Sequence, residues 1–350
     1  MNNAEKHNLK ILIAGAGSYP IYETAIYNAL IKMGYKNTYL YTYKSYYEKN
    51  GRIGKLVGRI ETNIAFGSIT RKINRNLLDK AEEMHPDLIL LYSARAIYPE
   101  TCKKLKAYCK RLMVYCNDDP WSDFYPKYFW RHFRGSVKYA DRVYVYRSEN
   151  KELLLSKGID KVSLLRSYYI SERNFYIENI EDADSNMPRI GFIGHYENDG
   201  RYEYIKKLLD NDIRVAVNDS WRVVNDKRLF IASTQMDEYN KIINQLDVAI
   251  VFLSKINHDT YTRRCFEIPA TKTMMLCEHT EDLASMFKAN EEIVFFRDKE
   301  EFLNKARYYL DNPIEAKGIG QKGYERLMRD GHEAKDRAMQ ILNDYYRSIE

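Results

Sequence analysis

The sequence predicts an α/β protein of two similar-sized halves, each built on a parallel sheet. Three observations carry that prediction. Short apolar runs alternate with segments of helical period along most of the 350 residues, the pattern of right-handed βαβ units. The alternation is interrupted once, at the acidic, polar stretch Glu178-Asn-Ile-Glu-Asp-Ala-Asp-Ser-Asn-Met-Pro188, and resumes after it. The length is also sufficient for two cores. The expected divisions are residues 1–178, a linker at 179–188, a second domain at 189–331 and a closing helix at 332–350 that packs back on the first domain.

The elements follow in order. Lys10-Ile-Leu-Ile-Ala-Gly15 is a strand that runs into Gly15-Ala-Gly17-Ser-Tyr-Pro20. A helix over Ile21–Met33 is closed by Gly34, a good C-cap residue, and Thr38–Thr42 is the second strand. A dinucleotide fingerprint needs a third glycine where Pro20 stands, and an acidic residue ending the second strand; Tyr39-Leu-Tyr-Thr-Tyr-Lys44 has none. A standard NAD site is therefore rejected. Gly15 and Gly17 either let the backbone approach another molecule or make a tight turn.

Residues 44–76 interleave Gly51, Gly54, Gly58 and Gly67 with Arg52, Lys55, Arg59, Arg71, Lys72 and Arg75. One continuous helix is excluded. The segment reads as a mobile loop touching acceptor or membrane, or as a loosely packed surface excursion. A helix over 76–84, a strand over Leu88–Tyr92 and a helix over 99–110 follow, the last with Cys102 and Cys109 on one face. The strand Leu112–Cys116 ends in Asn117-Asp-Asp-Pro-Trp121. Asp118 and Asp119 are there either site carboxylates at a strand's carboxyl edge or a capped turn before an aromatic helix over Phe124–Phe133. A strand at Asp141–Tyr146 and a helix at 149–157 complete the half.

In the second half, strands are expected at Arg189–Gly194, Ile213–Val217, Val248–Leu253, Thr273–Cys277 and Ile293–Phe296. Helices are expected at 200–209, 236–246, 260–271, 283–289, 299–311, 314–329 and 333–348. The centre of this half is the stretch from Asp259 to Glu278. Its helix sets Arg263, Arg264 and Glu267 three or four positions apart, on one face. It follows the carboxyl end of a buried strand, where ligand phosphates sit in open parallel sheets.

Hydrophobic residues make up 45% of the chain and charged residues 30%, a globular composition. No run approaches the roughly 18 apolar residues of a membrane span, and the N-terminus has no apolar signal core. The expected location is the cytoplasm, with the inner face of the membrane as an extension. Five cysteines without CxxC spacing fit buried, reduced thiols and no zinc site. Residues 1–178 carry 30 Lys and Arg against 18 Asp and Glu, within a whole-chain net charge of +6. That half suits an anionic partner (phosphate-bearing substrate, anionic lipid or nucleic acid) or is a solvated basic surface.

Several motifs in the last quarter point to a family. Arg264-Cys-Phe-Glu-Ile-Pro-Ala270, Glu300-Glu301 with Ala306-Arg-Tyr-Tyr-Leu-Asp-Asn-Pro313, Gly320 with Gly323-Tyr-Glu-Arg326, and Gly331-His332 with Arg337-Ala338 and Ile341-Leu342 occur in order. Together they resemble the glycosyltransferases related to the spore-maturation protein CgeB. The resemblance implies the GT-B fold, with two facing Rossmann-like domains and a cleft between them, a nucleotide-sugar donor in the C-terminal domain and a glycan or lipid-linked acceptor in the N-terminal one. It implies that Glu267 holds the ribose hydroxyls, and that Arg264, with Arg263 and Arg201, neutralises the diphosphate. Trp221 would contact the base, and Asp259 the sugar. Lys272, standing where the family has glycine, would reshape the pocket or add a phosphate cation. His195 is read as a donor-phosphate neighbour or a structural residue.

No cofactor and no metal are expected, because arginines can carry the leaving-group charge. Asp118 or Asp119 would be the base if the reaction inverts; a retaining reaction needs none. Two rivals remain: a non-catalytic GT-B partner subunit, and a nucleic-acid-binding module suggested by the basic half and the 31 tyrosines. The donor-side spacing disfavours both, so no nucleic acid is expected.

Overall fold

The computed structural model describes residues 8–48, 51–181, 183–233 and 238–349. They divide into two compact units, Met1–Arg166 with Ala334–Glu350, and Ser167–Glu333. The division falls at Arg166, upstream of the acidic stretch at 178–188.

The first unit alternates strands and helices from the start. β1 (Ile11–Gly15), α1 (Glu23–Lys32) and β2 (Thr38–Thr42) are followed by three helices, α2 (Lys44–Tyr47), α3 (Arg52–Ile64) and α4 (Ser68–Met84). Then come β3 (Leu88–Tyr92), α5 (Pro99–Leu105), β4 (Arg111–Cys116), α6 (Arg131–Ser136), β5 (Arg142–Val145), α7 (Ser148–Ser156) and β6 (Val162–Leu164). All pairs are parallel, in the order β2-β1-β3-β4-β5-β6. β1 and β3 are fully buried apolar runs, as strands covered on both faces must be.

The second unit repeats the plan with β7 (Ile190–Phe192), α8 (Arg201–Leu209), β8 (Ala216–Asn218), β9 (Phe230–Ala232), α9 (Glu238–Asn244) and β10 (Val248–Val251). It continues with α10 (Arg264–Ala270), β11 (Met274–Glu278), α11 (Glu281–Met286), β12 (Val294–Phe296), α12 (Lys299–Asp311) and α13 (Pro313–Asp330). Its parallel sheet has the order β12-β11-β10-β7-β8-β9. The caps explain the helix starts. Asp298 accepts from the Glu300 and Glu301 amides, both at 2.8 Å, and Thr280 accepts from Leu283 at 3.1 Å. Pro313 opens α13, and Gly331, at φ +67°, closes it.

The last helix, α14 (Ala334–Ile349), packs against α1 in the first unit. Buried Arg337 donates to the Arg166 carbonyl at 2.9 Å, and the Tyr144 hydroxyl donates to Asp344 at 2.8 Å. The motif arginine of the closing helix is thus a structural clamp on the end of the first unit.

Several expectations are corrected. The described residues of 44–76 are mostly helical, in separate helices with Gly67 between the last two, so neither the loop nor the loose excursion describes them. The helix over 99–110 stops at Leu105, and Cys102 and Cys109 do not share it. The aromatic stretch 124–130 forms turns, with α6 beginning only at Arg131. β6 and β9, three residues each, escaped notice because so short a run carries little periodic signal.

Glu61 shows how α3 and α4 are joined. It is buried, and its Oε2 accepts from the Ile69 and Thr70 amides at 2.9 and 3.1 Å. Those are two of the donors that a helix start leaves unpaired. Replacing Glu61 by Ala should lower stability by about 1–2 kcal/mol, read as a lower urea midpoint with an unchanged slope.

Candidate functional site

In each sheet the strand order reverses once, between β1 and β3 and between β7 and β10. Crevices at the carboxyl ends beside such points are where open parallel sheets bind ligands. The first unit has a cavity of about 580 Å³ at its point, lined from all four neighbouring strand ends by Ala16, Lys44, Ser93 and Asn117 among others. Its walls are aromatic, with Tyr22, Tyr43, Tyr92, Phe129 and Trp130, and its charged groups include Glu23, Arg95 and Asp118.

Glu23 is buried in the first turn of α1 and accepts from the Gly17 amide. A methyl group on Gly15 would lie 2.6 Å from the Glu23 carboxyl carbon, and Gly17 takes φ +72°. The two glycines therefore make a tight turn around Glu23, which is the second of the two readings open for them. Burial pushes the Glu23 carboxyl above the usual range, partly opposed by the Gly17 amide. Arg95 enters the cavity after two left-handed residues, Ser93 at φ +62° and Ala94 at φ +44°. Its guanidinium lies 4.0 Å from the Phe129 ring centroid and donates to the Thr62 carbonyl. Burial pulls its pKa below the usual value.

The two aspartates part company. Asp118 lines the cavity and acts electrostatically on Arg95. Asp119 is buried away from it, its Oδ1 accepting from the Trp121 amide at 3.0 Å and from Asn150 at 2.9 Å. As a candidate base, Asp119 is corrected to a turn-capping residue.

In the second unit the corresponding edge is organised by Gly194, just after β7. The fully buried Trp221 donates its indole N–H to the Gly194 carbonyl at 3.0 Å and packs on Phe192. That removes Trp221 from any base contact. A side chain on Gly194 would lie 2.8 Å from the Arg264 guanidinium carbon. Arg264 donates its Nε to the Ile193 carbonyl at 3.2 Å, and among the described residues its two terminal amino groups make no hydrogen bond. His195 is exposed beside this turn.

Arg201 has a different part. Its side chain is 4% exposed and grips Asp199 at 2.8 and 2.7 Å, Glu197 at 3.0 Å and the His195 carbonyl at 2.7 Å. With four of five donors engaged inside the protein, Arg201 fixes the loop after β7 and is corrected from a diphosphate ligand to a structural ion. Glu278 closes the same edge, accepting from the Leu253 amide at 2.6 Å, and burial raises its pKa.

The face expected to hold Arg263, Arg264 and Glu267 together is split. Arg263 donates to Glu267 at 2.6 Å and lies 4.6 Å from the Tyr168 ring, while Arg264 turns to Gly194. Glu267 also faces a polar cavity of about 250 Å³, lined by Asn174, Phe175, Tyr239 and Lys241 among others. The Tyr239 hydroxyl is buried next to Glu267; desolvation, then that carboxylate's charge, pushes its pKa up. It has no well-directed hydrogen bond among the described residues. Asp259 lies in the turn leaving β10, its amide on the Ser254 carbonyl at 2.9 Å. Lys272 is at the wrong edge. It stands eight residues beyond Arg264, past the far end of α10 and before β11 begins, and the helix alone separates its own two ends by about 9 Å. Its ammonium sits 4.7 Å from Tyr176 and 5.1 Å from Tyr324.

Reasoning from sequence missed Glu23, Arg95, Tyr239 and Glu278. Arg95 and Glu278 stand at strand carboxyl ends, where the rule used for Asp118 could have found them; nothing local marks Glu23 or Tyr239. Among the described residues no group of three or more His, Cys, Asp or Glu is placed to hold a metal ion.

Residues 201–343 match a protein-family model described as glycosyl transferase-like. No curated protein sequence matches the chain. Solved structures share its fold. HepE of Anabaena in complex with UDP and glucose has a TM-score of 0.71 at 10% identity, covering 97% of this chain and 100% of its own. Sucrose-phosphate synthase of Thermosynechococcus elongatus has the same score and identity, with coverage of 97% and 99%. A glycosyltransferase of Rickettsia africae scores 0.66 at 14% identity, with coverage of 98% and 99%. The two six-stranded parallel sheets are those of the GT-B fold.

Two outcomes follow from the geometry. Arg201→Met leaves Asp199 and Glu197 without their buried partner and should destabilise the protein by about 3–5 kcal/mol, seen as a lower unfolding midpoint even without ligand. Glu23 has a folded pKa above its unfolded value, so the folded state holds the proton more tightly. Its contribution is full below the unfolded carboxylate pKa and is lost as pH rises through the folded one. Glu23→Gln should therefore gain thermal stability relative to the unaltered protein as pH rises through that window, and a melting series across pH checks the sign.

Proposed function

We propose that this protein is a glycosyltransferase that takes its sugar from a nucleoside-diphosphate donor, with UDP-sugars first among the candidates. The observation that carries the reading is Arg264, held against the Gly194 turn by one Nε bond, with no hydrogen bond from its terminal amino groups among the described residues. Such a guanidinium suits a bidentate contact to a diphosphate. It would stabilise the charge that grows on the leaving group as the glycosidic bond to the donor breaks, without a metal. Glu267 and the Tyr239 hydroxyl supply an acceptor and a hydroxyl at one cavity wall, a pair that fits the two hydroxyls of a ribose. The glycosyl transferase-like match and the structural relatives solved with UDP and UDP-glucose support the donor class.

The acceptor belongs in the aromatic cavity of the first unit, since sugar rings stack on aromatic faces. Arg95 would meet an anionic group there, and Asp118, which lines the cavity, would take a proton from an acceptor hydroxyl if the reaction inverts. We place the enzyme in the cytoplasm, among the CgeB-related glycosyltransferases, building a cell-surface or spore-associated glycan.

Thermal shifts with UDP, GDP, dTDP and CDP should single out one nucleotide that stabilises the fold. Release of that nucleotide from its sugar donor should survive EDTA. Turnover should fall about a hundredfold or more in Arg264→Met, on the scale of removing one transition-state donor, with Glu267→Ala raising KM. Absence of transfer and hydrolysis with every donor would contradict the reading.

A further inference from the structure

We infer that α3 lies in the plane of a membrane and docks the first unit on an anionic lipid surface. The helix has three distinct faces. Ile53, Leu56, Val57 and Ile60 are 80%, 56%, 39% and 48% exposed, and their i, i+3, i+4, i+7 spacing puts them in one stripe. Phe66, just past the helix end, is 54% exposed as well. Arg52, Lys55 and Arg59, all exposed, flank the stripe. The third face is built into the fold. Gly58 meets the Tyr47 carbonyl so closely that no side chain fits there, and Glu61 is buried beneath the start of α4.

A contiguous stripe of four large aliphatic side chains on a helix already fixed by its other face is unlike scattered surface residues. Its chemistry matches one occupant. The only carboxylate of the helix, Glu61, is buried and bound to backbone amides, so the exposed surface of α3 carries three positive charges and no negative one. Basic residues beside an apolar stripe are the pattern of helices that rest at an anionic headgroup boundary. A second copy of the chain fits less well, because an isologous contact would bring these like charges together. At 13 residues the helix is about 20 Å long, too short to span a bilayer. Among the described residues no helix is long and apolar enough to cross a membrane. Gly58, Arg59 and Thr62 of α3 also line the aromatic cavity, so a docked α3 would set that cavity beside the lipid.

Co-sedimentation of the full chain with vesicles tests this without any sugar donor, so its outcome is separate from that of the transferase reading. The protein should pellet with vesicles containing phosphatidylglycerol at low salt, and remain in solution with phosphatidylcholine alone. Ile53→Ser/Leu56→Ser/Ile60→Ser and Arg52→Gln/Lys55→Gln should each weaken binding about tenfold or more. Their melting temperatures should match the parent, because the altered side chains are exposed. The inference is overturned if the parent protein stays in solution with anionic vesicles or if the serine variant binds as the parent does. It is equally overturned if the stripe instead mediates a dimer, seen by sedimentation velocity, with no vesicle binding.

Discussion

The carboxyl edge of the second sheet depends on Gly194 having no side chain. Three neighbours converge on it: the buried Phe192 ring, the Trp221 indole bonded to its carbonyl, and the Arg264 guanidinium. A single methyl group there would displace at least one of them. Overpacking of that kind disturbs a close-packed site by more than its volume suggests. With glycine, the aromatic pair stays in the core and the arginine rests over the turn, its outer nitrogens making no hydrogen bond among the described residues. A structural necessity and a binding opportunity thus share one position.

Charge around this edge is distributed unevenly, and the distribution sets its arginines apart. Arg201 is enclosed by Asp199, Glu197 and a carbonyl, and Arg263 is paired with Glu267. Each neutralises carboxylates that would otherwise be stranded in a poorly solvated place. Arg264 donates to a backbone carbonyl, lies over an aromatic face and makes no ion pair among the described residues. It can therefore meet an incoming anion without breaking an existing ion pair. In the first unit Arg95 is held in a comparable way, over Phe129 and against a carbonyl. Both sheets thus present a lightly engaged arginine near an aromatic ring at a carboxyl-end crevice.

Much of the fold was legible because its central strands, β1 and β3 among them, are buried on both faces and read as uninterrupted apolar runs. β2 (Thr38–Thr42), β3 (Leu88–Tyr92) and α12 (Lys299–Asp311) stand where the periodicity put them. Residues 44–76 were misjudged because glycine counts against helix locally, whereas Gly58 is what lets α3 approach Tyr47. The site was legible as a region and not as a set of roles. Spacing put Arg263, Arg264 and Glu267 on one face, but the partners that separate them come from β7 and from residues near Tyr168, remote in sequence. Lys272 was misplaced because a seven-residue helix carries the chain from one edge of the sheet to the other. Trp221 was assigned to a ligand because nothing local announces that its indole bonds a carbonyl 27 residues away.

The central claim is that Arg264, over the Gly194 turn, receives the diphosphate of the donor. A crystal structure of the protein soaked with whichever of UDP, GDP, dTDP or CDP stabilises it most tests this directly. The account predicts phosphate oxygens within hydrogen-bond distance of the Arg264 terminal nitrogens, the ribose hydroxyls at Glu267, and Arg201 still closed on Asp199. A nucleotide seated elsewhere, phosphates held by Arg201 instead, or a crevice that stays empty under saturating nucleotide would contradict it.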